Sequence, residues 1–225
     1  MKKIKSRIPE GGAIEDSSGI TMEQYSEIMK KYLTREYLRF TDNVLEKINP
    51  AENSIVLEIG PGPGWAGINL LKKRKDLKLI GLDASHDMIR VASKNALKEG
   101  FPEIVFIHGT AENMSEINDG TFDLVISRDS LHHWEEPEKV FKEVKRILKP
   151  SGKLFIHDSR RDMNTFGRMI VTIFSKLIPN NLGHYWRTSI AASYTAEEIR
   201  TLLDKNGLND WSVESDLMDL TIYKD

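Results

Sequence analysis

The chain has 225 residues, of which 40% are hydrophobic, enough for the core of one domain and an added segment. Its 32 Lys and Arg residues oppose 34 Asp and Glu residues, so the formal net charge of −2 predicts no overall attraction to nucleic acid or to an anionic membrane. The absence of cysteine excludes disulfides, thiolate metal sites and cysteine nucleophiles.

The sequence shows no targeting or membrane-spanning segment. The basic residues 1–7 are not followed by an apolar stretch, as a signal peptide would require. The longest apolar run, Met169–Ile178, is interrupted by polar residues and is shorter than the roughly 20 residues that cross a bilayer. We therefore expect a cytoplasmic protein without a membrane span.

The first residues predict a helical cap. Residues 1–19 contain proline and glycines and show no periodicity. A helical pattern begins after Thr21, which can cap it, and a second helical stretch ends at Ile48. We assign residues 1–49 to this N-terminal helical cap.

Strands and helices then alternate along the chain, which is typical of a parallel sheet with crossover helices. The order is strand Ser54–Ile59, helix Trp65–Lys75, strand Lys78–Asp83, helix Ser85–Glu99, strands Ile104–His108 and Phe122–Ser127, helix Pro137–Leu148, strand Lys153–Asp158 and helix Thr195–Lys205. Two short strands from Trp211 onward should close the sheet as an antiparallel hairpin. We predict an α/β, Rossmann-like domain over residues 50–225, with a seven-stranded, mostly parallel sheet and helices on both faces.

Residues 162–192 interrupt the alternation and predict an insertion. One helix is expected near Met163–Leu177, followed by a loop rich in turn residues. Tyr185 and Trp186 fall in that loop and carry aromatic surface with polar tips, which suits the lining of a pocket. We expect the insertion and the N-terminal cap to cover the carboxyl ends of the strands as a lid.

The sharpest motif lies where the first strand turns into the first helix of the domain. The segment Val56–Gly64 has the pattern acidic-x-G-x-G-x-G. A dinucleotide-binding fingerprint counted from Gly60 and Gly62 would need its third glycine at Trp65, so an NAD-dependent oxidoreductase is disfavoured. An ordinary tight turn is the alternative that involves no ligand.

This pattern resembles the first motif of class I S-adenosylmethionine-dependent methyltransferases. The resemblance implies that Gly60, Gly62 and Gly64 pass beneath the methionine and ribose parts of S-adenosylmethionine, with Glu58 near its amino group. Several further motifs follow in the family's order, and together they cover about residues 50–158.

Asp83 ends the second predicted strand, at the position that reads the ribose hydroxyls in Rossmann-like folds. Its alternative role is a helix N-cap, although Ser85 is better placed for that. The stretch also resembles the family's D-x-S-x-x-M motif, which implies that Met88 packs against adenine; packing in the core is the alternative.

The resemblance places further residues beside the cofactor. After the third strand, the family commonly has an aspartate where this chain has Thr110. After the fourth strand, Arg128 should line the methionine end of the pocket, with a surface salt bridge as its alternative. The remaining residues expected at the cofactor are Ala111, Glu112, Ser127 and, from the N-terminal cap, Tyr25.

Two adjacent histidines after the fourth strand are candidates for the chemistry. His132 could act as a general base, because imidazole abstracts protons near neutral pH, and His133 could contact the acceptor. Structural packing is the alternative for both. A metal site is not expected, since adjacent side chains diverge and no H-x-x-x-H pair is present. Asp158 and Arg160, after the fifth strand, could also hold an acceptor, or could form a solvated charged loop.

The resemblance implies transfer of a methyl group from S-adenosylmethionine to a small-molecule acceptor. The alternatives are an RNA or protein methyltransferase and a protein that binds S-adenosylmethionine without catalysis. No nucleic-acid partner is expected, because the sequence lacks an Asn/Asp-Pro-Pro-Tyr/Phe motif and an obvious basic patch with aromatics. The acceptor, the atom methylated and the oligomeric state stay open at this point.

Overall fold

The computed structural model describes residues 6–8, 19–180 and 182–225. The strands are β1 (Ile55–Ile59), β2 (Lys78–Asp83), β3 (Val105–His108), β4 (Phe122–Arg128), β5 (Leu148–Ser159), β6 (Ser212–Ser215) and β7 (Asp219–Lys224). The α-helices are α1 (Met22–Lys47), α2 (Trp65–Lys73), α3 (His86–Glu99), α4 (Pro137–Ile147), α5 (Thr165–Ser175), α6 (Leu182–Ala192) and α7 (Ala196–Lys205), and a short 3₁₀ turn covers Leu131–His133. Within these ranges no helix is both long and apolar enough to cross a bilayer.

The strands form one seven-stranded sheet in the order β3-β2-β1-β4-β5-β7-β6. The pairings from β3 to β5 are parallel, whereas β7 runs antiparallel to both β5 and β6. The predicted mostly parallel sheet and its closing hairpin are confirmed. The chain order reverses between β1 and β4, and such a switch point opens a crevice at the carboxyl ends of the strands.

Helices cover both faces of the sheet. Neighbouring residues of the central strands point to opposite faces, so each strand contributes side chains to two cores. Val56 packs with the helices α1, α2 and α3, whereas Leu57 packs with α4 and α7. The same alternation recurs at Leu154 and Phe155 of β5. The resulting two cores hold rigid the strand ends that carry the site.

Between Thr21 and Ile48 the structure has one long helix, α1, rather than the two helical stretches expected there, which corrects that prediction. No glycine or proline interrupts the 26 residues of α1, so nothing in the chain ends the helix before Ile48. The capping box of Thr21 and Gln24 is present.

The first turns of α1 are anchored to the glycine turn by hydrogen bonds around Ser26. The amide of Asn95 donates to Ser26 Oγ at 2.9 Å and to the carbonyl of Pro63 at 2.9 Å. The indole of Trp65 also donates to Ser26 Oγ, at 3.2 Å. A buried, hydrogen-bonded contact thus fixes the cap against the loop between β1 and α2.

The insertion contains two helices where one helix and a loop were expected. Tyr185 and Trp186 lie on α6, not in a loop. Gly183 permits the close packing of the two helices, because a Cβ there would lie 1.7 Å from the carbonyl oxygen of Ser175 on α5. The turn residues before α6 therefore join two packed helices.

Candidate active site

A cavity of about 940 Å³ opens beside the carboxyl ends of β4 and β5. Residues of α1 and residues of α6 both line it. Its lining includes Tyr25, Met29, Tyr32, Leu33, Glu36 and Arg39 from α1, Arg128, Asp129, His132, His133 and His157 from the strand ends and the 3₁₀ turn, and Tyr185, Trp186 and Ile190 from α6. Residues of the cap and of the insertion, the two segments expected to form a lid, thus both line this cavity.

The three glycines of the β1–α2 turn have different surroundings, although each has a positive φ. A Cβ on Gly60 would lie 2.2 Å from Ser130 Oγ, so this glycine admits the chain that follows β4. A Cβ on Gly64 would lie 3.3 Å from Ala92 on α3. A Cβ on Gly62 would meet nothing within 4 Å. Of the three, Gly62 therefore borders open space that a ligand could use.

Asp83 lies beside that open space. Its Oδ2 accepts a hydrogen bond from the backbone N–H of Gly62 and its Oδ1 accepts one from Ser85, both at 2.9 Å. Burial raises the pKa of Asp83, and these two backbone bonds oppose the shift. The residue that caps the N-terminus of α3 is Ser85 and not Asp83. Ser85 Oγ accepts a hydrogen bond from the backbone N–H of Met88. Each carboxylate oxygen of Asp83 keeps a lone pair for a hydroxyl group.

The adenine end expected from the sequence has mixed surroundings. Met88 is buried with Met22 and Val91 and packs against Tyr25, so α1 covers the start of α3. Across the crevice, Thr110 is exposed. The next residue, Ala111, is buried. Glu112 Oε1 accepts a hydrogen bond from the backbone N–H of Glu135 at 3.2 Å.

Glu58 points into the protein instead of lining the cavity. Its side chain is buried against α2, where a Cβ on Gly67 would lie 2.3 Å from Glu58 Oε2. That oxygen has no hydrogen-bond partner among the described residues. Burial raises the pKa of Glu58 to about 8, and the backbone of Gly67 only partly offsets this.

Neutralising Glu58 should stabilise the protein at alkaline pH. The raised pKa means that the folded state holds a proton that the unfolded state releases, so stability declines from about pH 4.5 to about pH 8. We expect Glu58→Gln to increase the free energy of unfolding at about pH 9 by roughly 2–4 kcal/mol. Chemical denaturation of both proteins at about pH 4 supplies the control, because there the difference should be small. An equal difference at both pH values would contradict the raised pKa.

Two residues of β4 are tied into the core beside the cavity. Ser127 is buried and donates a hydrogen bond to the carbonyl of Ile59 at 2.8 Å, which links β4 to the end of β1. Arg128 forms an ion pair with Asp129 at 2.7 Å and lies 4.6 Å from the ring centre of Tyr37. The side chains of Arg128 and Asp129 are 9% and 35% exposed, so this ion pair is partly buried, and both residues line the cavity.

The 3₁₀ turn after β4 holds a histidine–carboxylate pair. His132 Nδ1 lies 2.8 Å from Asp158 Oδ1, and the backbone N–H of His132 donates to Asp158 Oδ2 at 3.0 Å. Asp158 also accepts from the N–H of Ser159. The guanidinium of Arg7 donates to the carbonyl of His132 at 2.8 Å. These bonds fix the ring with Nδ1 toward Asp158 and Nε2 on the side of the ring away from that carboxylate.

The carboxylate of this pair stays ionised despite its burial. Burial alone would raise the pKa of Asp158, but its charge interaction and hydrogen bonds with His132 lower it below the ordinary value. An ionised carboxylate behind Nδ1 favours the imidazolium that forms when Nε2 accepts a proton.

Two residues expected to contact an acceptor lie elsewhere. Asp158 is 1% exposed, and its oxygens bind His132 and Ser159. Arg160 forms a bidentate ion pair with Asp162, at 2.7 and 2.9 Å. Neither Asp158 nor Arg160 lines the cavity, whereas His133, Tyr185 and Trp186 do.

A charged cluster that no sequence motif indicates also lines the cavity. Asp219 of β7 forms an ion pair with Arg39 of α1 at 3.2 Å, and both line the cavity with Glu36 and Asp129. Burial, with the nearby Asp129, raises the pKa of Asp219 to about 7. No motif contains these residues, because α1 and β7 are distant in sequence and meet only in the fold. Among the described residues, no group of His, Asp and Glu could hold a metal ion.

Comparison with known proteins agrees with this geometry. A family model described as a methyltransferase domain matches residues 57–156. The uncharacterised methyltransferase YdaC of Bacillus subtilis is 31% identical over 126 residues, which cover 53% of this chain and 67% of YdaC. The ubiquinone biosynthesis O-methyltransferase of Aliivibrio fischeri is 30% identical over 138 residues, 60% of this chain and 58% of that enzyme.

A solved structure is similar over almost the whole chain. It is the crystal structure of a protein from Methanococcus maripaludis assigned as an S-adenosylmethionine-dependent methyltransferase. The TM-score is 0.74 at 25% identity, and 96% of each chain is covered. Several curated relatives are longer than the region they share with this chain, which spans 40% of one of them and 58% of another. The chain belongs to the class I S-adenosylmethionine-dependent methyltransferases.

Proposed function

We propose that the enzyme methylates a hydroxyl group of a small, largely apolar acceptor, and that His132 serves as the general base. The observation that carries this proposal is the His132–Asp158 pair, whose histidine lines the cavity. A hydroxyl group is a weak nucleophile until its proton is removed, so a held imidazole in this place favours an oxygen acceptor.

The glycine turn fits the adenosine and methionine parts of S-adenosylmethionine. The open space at Gly62 would take the cofactor close to the backbone, and Asp83 beside it would accept the ribose hydroxyls. Tyr25 and Met88 would close over the adenine and ribose, with Arg128 at the methionine end. When bound, the cofactor supplies an activated methyl group on a sulfonium.

The chain's own residues would then orient the acceptor, exclude water and remove a proton. Helices α1 and α6 wall the cavity, so a bound acceptor would be held with its hydroxyl toward His132 Nε2. The proton would pass to Nε2, and the charge that forms on the ring would be balanced by Asp158. No covalent intermediate on the protein is required.

Two further observations favour a small acceptor. The cavity has a volume of about 940 Å³ and is lined by apolar side chains such as Met29, Leu33 and Ile190, which suits an organic ring better than a folded macromolecule. The A. fischeri relative is an O-methyltransferase of ubiquinone biosynthesis, and its acceptors are an informative starting set. A protein or RNA acceptor would need an open groove at this face.

The direct test is methyl transfer to matched pairs of acceptors. Hydroxylated aromatic compounds and the corresponding amines and thiols are incubated with the enzyme and S-adenosylmethionine, and the products are identified by mass. We expect methylation of hydroxyl compounds in preference to their amine counterparts. Turnover of the amines alone would refute the oxygen acceptor, and turnover of neither with strong cofactor binding would favour the non-catalytic alternative.

Truncating a side chain that lines the cavity should impair turnover without changing the affinity for the cofactor. Trp186 of α6 lines the cavity, and removing its ring should leave the acceptor less ordered and admit water. We expect Trp186→Ala to lower kcat/KM by about 10-fold or more, while calorimetric affinity for S-adenosylmethionine stays within about twofold. Tyr185→Ala is expected to act in the same direction. Full activity of both variants would show that α6 does not hold the acceptor.

A further inference from the structure

The outer face of α5 is apolar and exposed to solvent. Phe166, Met169, Ile173, Phe174 and Leu177 are 50–64% exposed and recur at helical spacings, so they form one stripe. We name this set of five residues the α5 stripe. A contiguous exposed patch of large apolar side chains marks an interaction surface, because it lowers solubility unless something covers it.

The stripe cannot turn inward without breaking the packing of the insertion. The opposite side of α5 is buried through Gly167, Val171 and Ser175. A Cβ on Gly167 would lie 3.3 Å from the carbonyl oxygen of Leu217, which shows how closely this side approaches the domain. Val171 also lines the cavity. One helix therefore presents its inner face to the cavity and its outer, apolar face to the surroundings.

The charged residues of the segment that carries the stripe are all positive. Residues 163–194 contain Arg168, Lys176 and Arg187 but no aspartate or glutamate, in a chain with an excess of acidic residues. The three cationic side chains are exposed, and within the described ranges none forms an ion pair with a carboxylate. By contrast, Arg160 and Arg161 just before this segment are both paired with acids.

We propose that the α5 stripe docks on an anionic lipid surface. An interfacial helix places large apolar side chains into the boundary of the bilayer while nearby cations attract the negative headgroups, and α5 has both parts. Docking would place α5, whose Val171 lines the cavity, against the lipid. The proposal does not depend on the acceptor chemistry.

A second copy of the chain fits this surface less well. A two-fold dimer through α5 would bring the stripe against itself and set Arg168 and Lys176 near the same cations of the other copy. The segment offers no carboxylate to neutralise them. The charge pattern therefore favours a lipid over a self-association surface.

The test is co-sedimentation of the full chain with vesicles. One set contains phosphatidylcholine alone, and the other contains phosphatidylcholine and phosphatidylglycerol in equal parts. We expect partition into the mixed vesicles to exceed that into the neutral ones, and to decrease with added salt. The double variant Phe166→Ser with Phe174→Ser should lose about 10-fold or more in partition. The double variant Arg168→Gln with Lys176→Gln should lose about 10-fold on mixed vesicles and little on neutral ones.

A matched pair of leucines supplies the control. Leu177 in the stripe and Leu97 at the end of α3 are 64% and 66% exposed. We expect Leu177→Ser to weaken partition and Leu97→Ser to leave it unchanged. Equal effects of the two substitutions, or no partition of the unaltered protein, would overturn the proposal.

Two further measurements on the same variants distinguish lipid docking from two alternatives, in which a second copy of the chain or another part of the same chain covers the stripe. A dimer in light scattering that the Phe166→Ser and Phe174→Ser variant abolishes would assign the stripe to a second copy. A marked fall in melting temperature for that variant would show that the chain itself covers the stripe. Methyl transfer to a soluble acceptor without vesicles should be unchanged in this variant, so failure of the docking proposal leaves the proposed function standing.

Discussion

We expect His132→Ala to lower the rate of methyl transfer by about 10²–10⁴-fold while binding S-adenosylmethionine almost as tightly as the unaltered enzyme. The loss follows from removal of the proton acceptor, since the imidazole held by Asp158 lies at the cavity wall. The glycine turn and Asp83 are not touched by the substitution. The effect should therefore fall on kcat, and calorimetry with the cofactor should show little change.

Asp158 should act through His132, as a positioning residue. Asp158→Asn keeps the side chain's volume but replaces an ionised acceptor by an amide, which favours the wrong tautomer of the ring and no longer balances its charge. We expect a loss smaller than that of His132→Ala, because a correctly placed ring remains. The melting temperature of Asp158→Asn is measured in parallel, since the carboxylate also binds two backbone N–H groups.

Two comparisons distinguish a base from a structural histidine. Added imidazole should restore part of the activity of His132→Ala, because a free base can occupy the space of the missing ring, whereas it cannot repair a distorted turn. His133→Ala should cost less, since its exposed ring lies beside His132 without the bond to Asp158. A His132→Ala variant that keeps its full rate would mean that the acceptor arrives as a nucleophile and needs no base.

The strands of the sheet could be predicted from the sequence, because each buried strand is a short apolar run between turn residues. Ile55–Ile59 is a short apolar run bounded by turn residues, and Ser85 and Thr195 cap their helices where the capping patterns placed them. The predicted strand Lys78–Asp83 has the observed bounds. Local periodicity and caps determine such elements almost without reference to the rest of the fold.

The orientation of α5 in the insertion was harder to predict, because its apolar pattern fits a helix with either face toward the domain. The spacing of Phe166, Ile173 and Phe174 correctly indicates a helix, but periodicity cannot tell which face meets the domain. The structure exposes these side chains and buries Gly167 and Val171 instead. The apolar face of a helix is usually the inner one, and here the small residues of the other face allow closer packing on the domain.

The residues of the candidate site also divide into those that a local motif predicts and those that come together only in the fold. The glycine turn and Asp83 could be located from motifs, because backbone geometry at a strand end repeats across a fold. The contact of Asp158 with His132 could not, since a carboxylate near the end of β5 and a histidine after β4 become neighbours only when those strands pair. The ion pair of Arg39 with Asp219 joins the first helix to the last strand, so no local pattern could predict it.

We expect Gly62→Leu to lose at least about 100-fold in affinity for S-adenosylmethionine, roughly 3 kcal/mol of binding free energy. A Cβ at this position meets no protein atom within 4 Å, so a leucine side chain would extend into the space where the cofactor should pass. The backbone of Gly62 also donates to Asp83, and crowding there would disturb the expected ribose contact.

Gly100→Leu is the matched control for this substitution. Gly100 ends α3 with a φ of 88°, compared with 51° at Gly62, and a Cβ there likewise meets nothing within 4 Å. A leucine at either position adopts the left-handed region at a cost of about 1–2 kcal/mol in stability. Both variants should therefore melt at a lower temperature than the unaltered protein.

The two variants should differ in the response of their melting temperatures to S-adenosylmethionine. A ligand that binds only the folded state raises the melting temperature, so Gly100→Leu should keep the increase and Gly62→Leu should lose it. The comparison removes backbone strain as an explanation, because both substitutions carry it. An increase retained in Gly62→Leu would place the cofactor elsewhere, whereas its loss from Gly62→Leu alone would assign the open space beside the glycine turn to the bound cofactor.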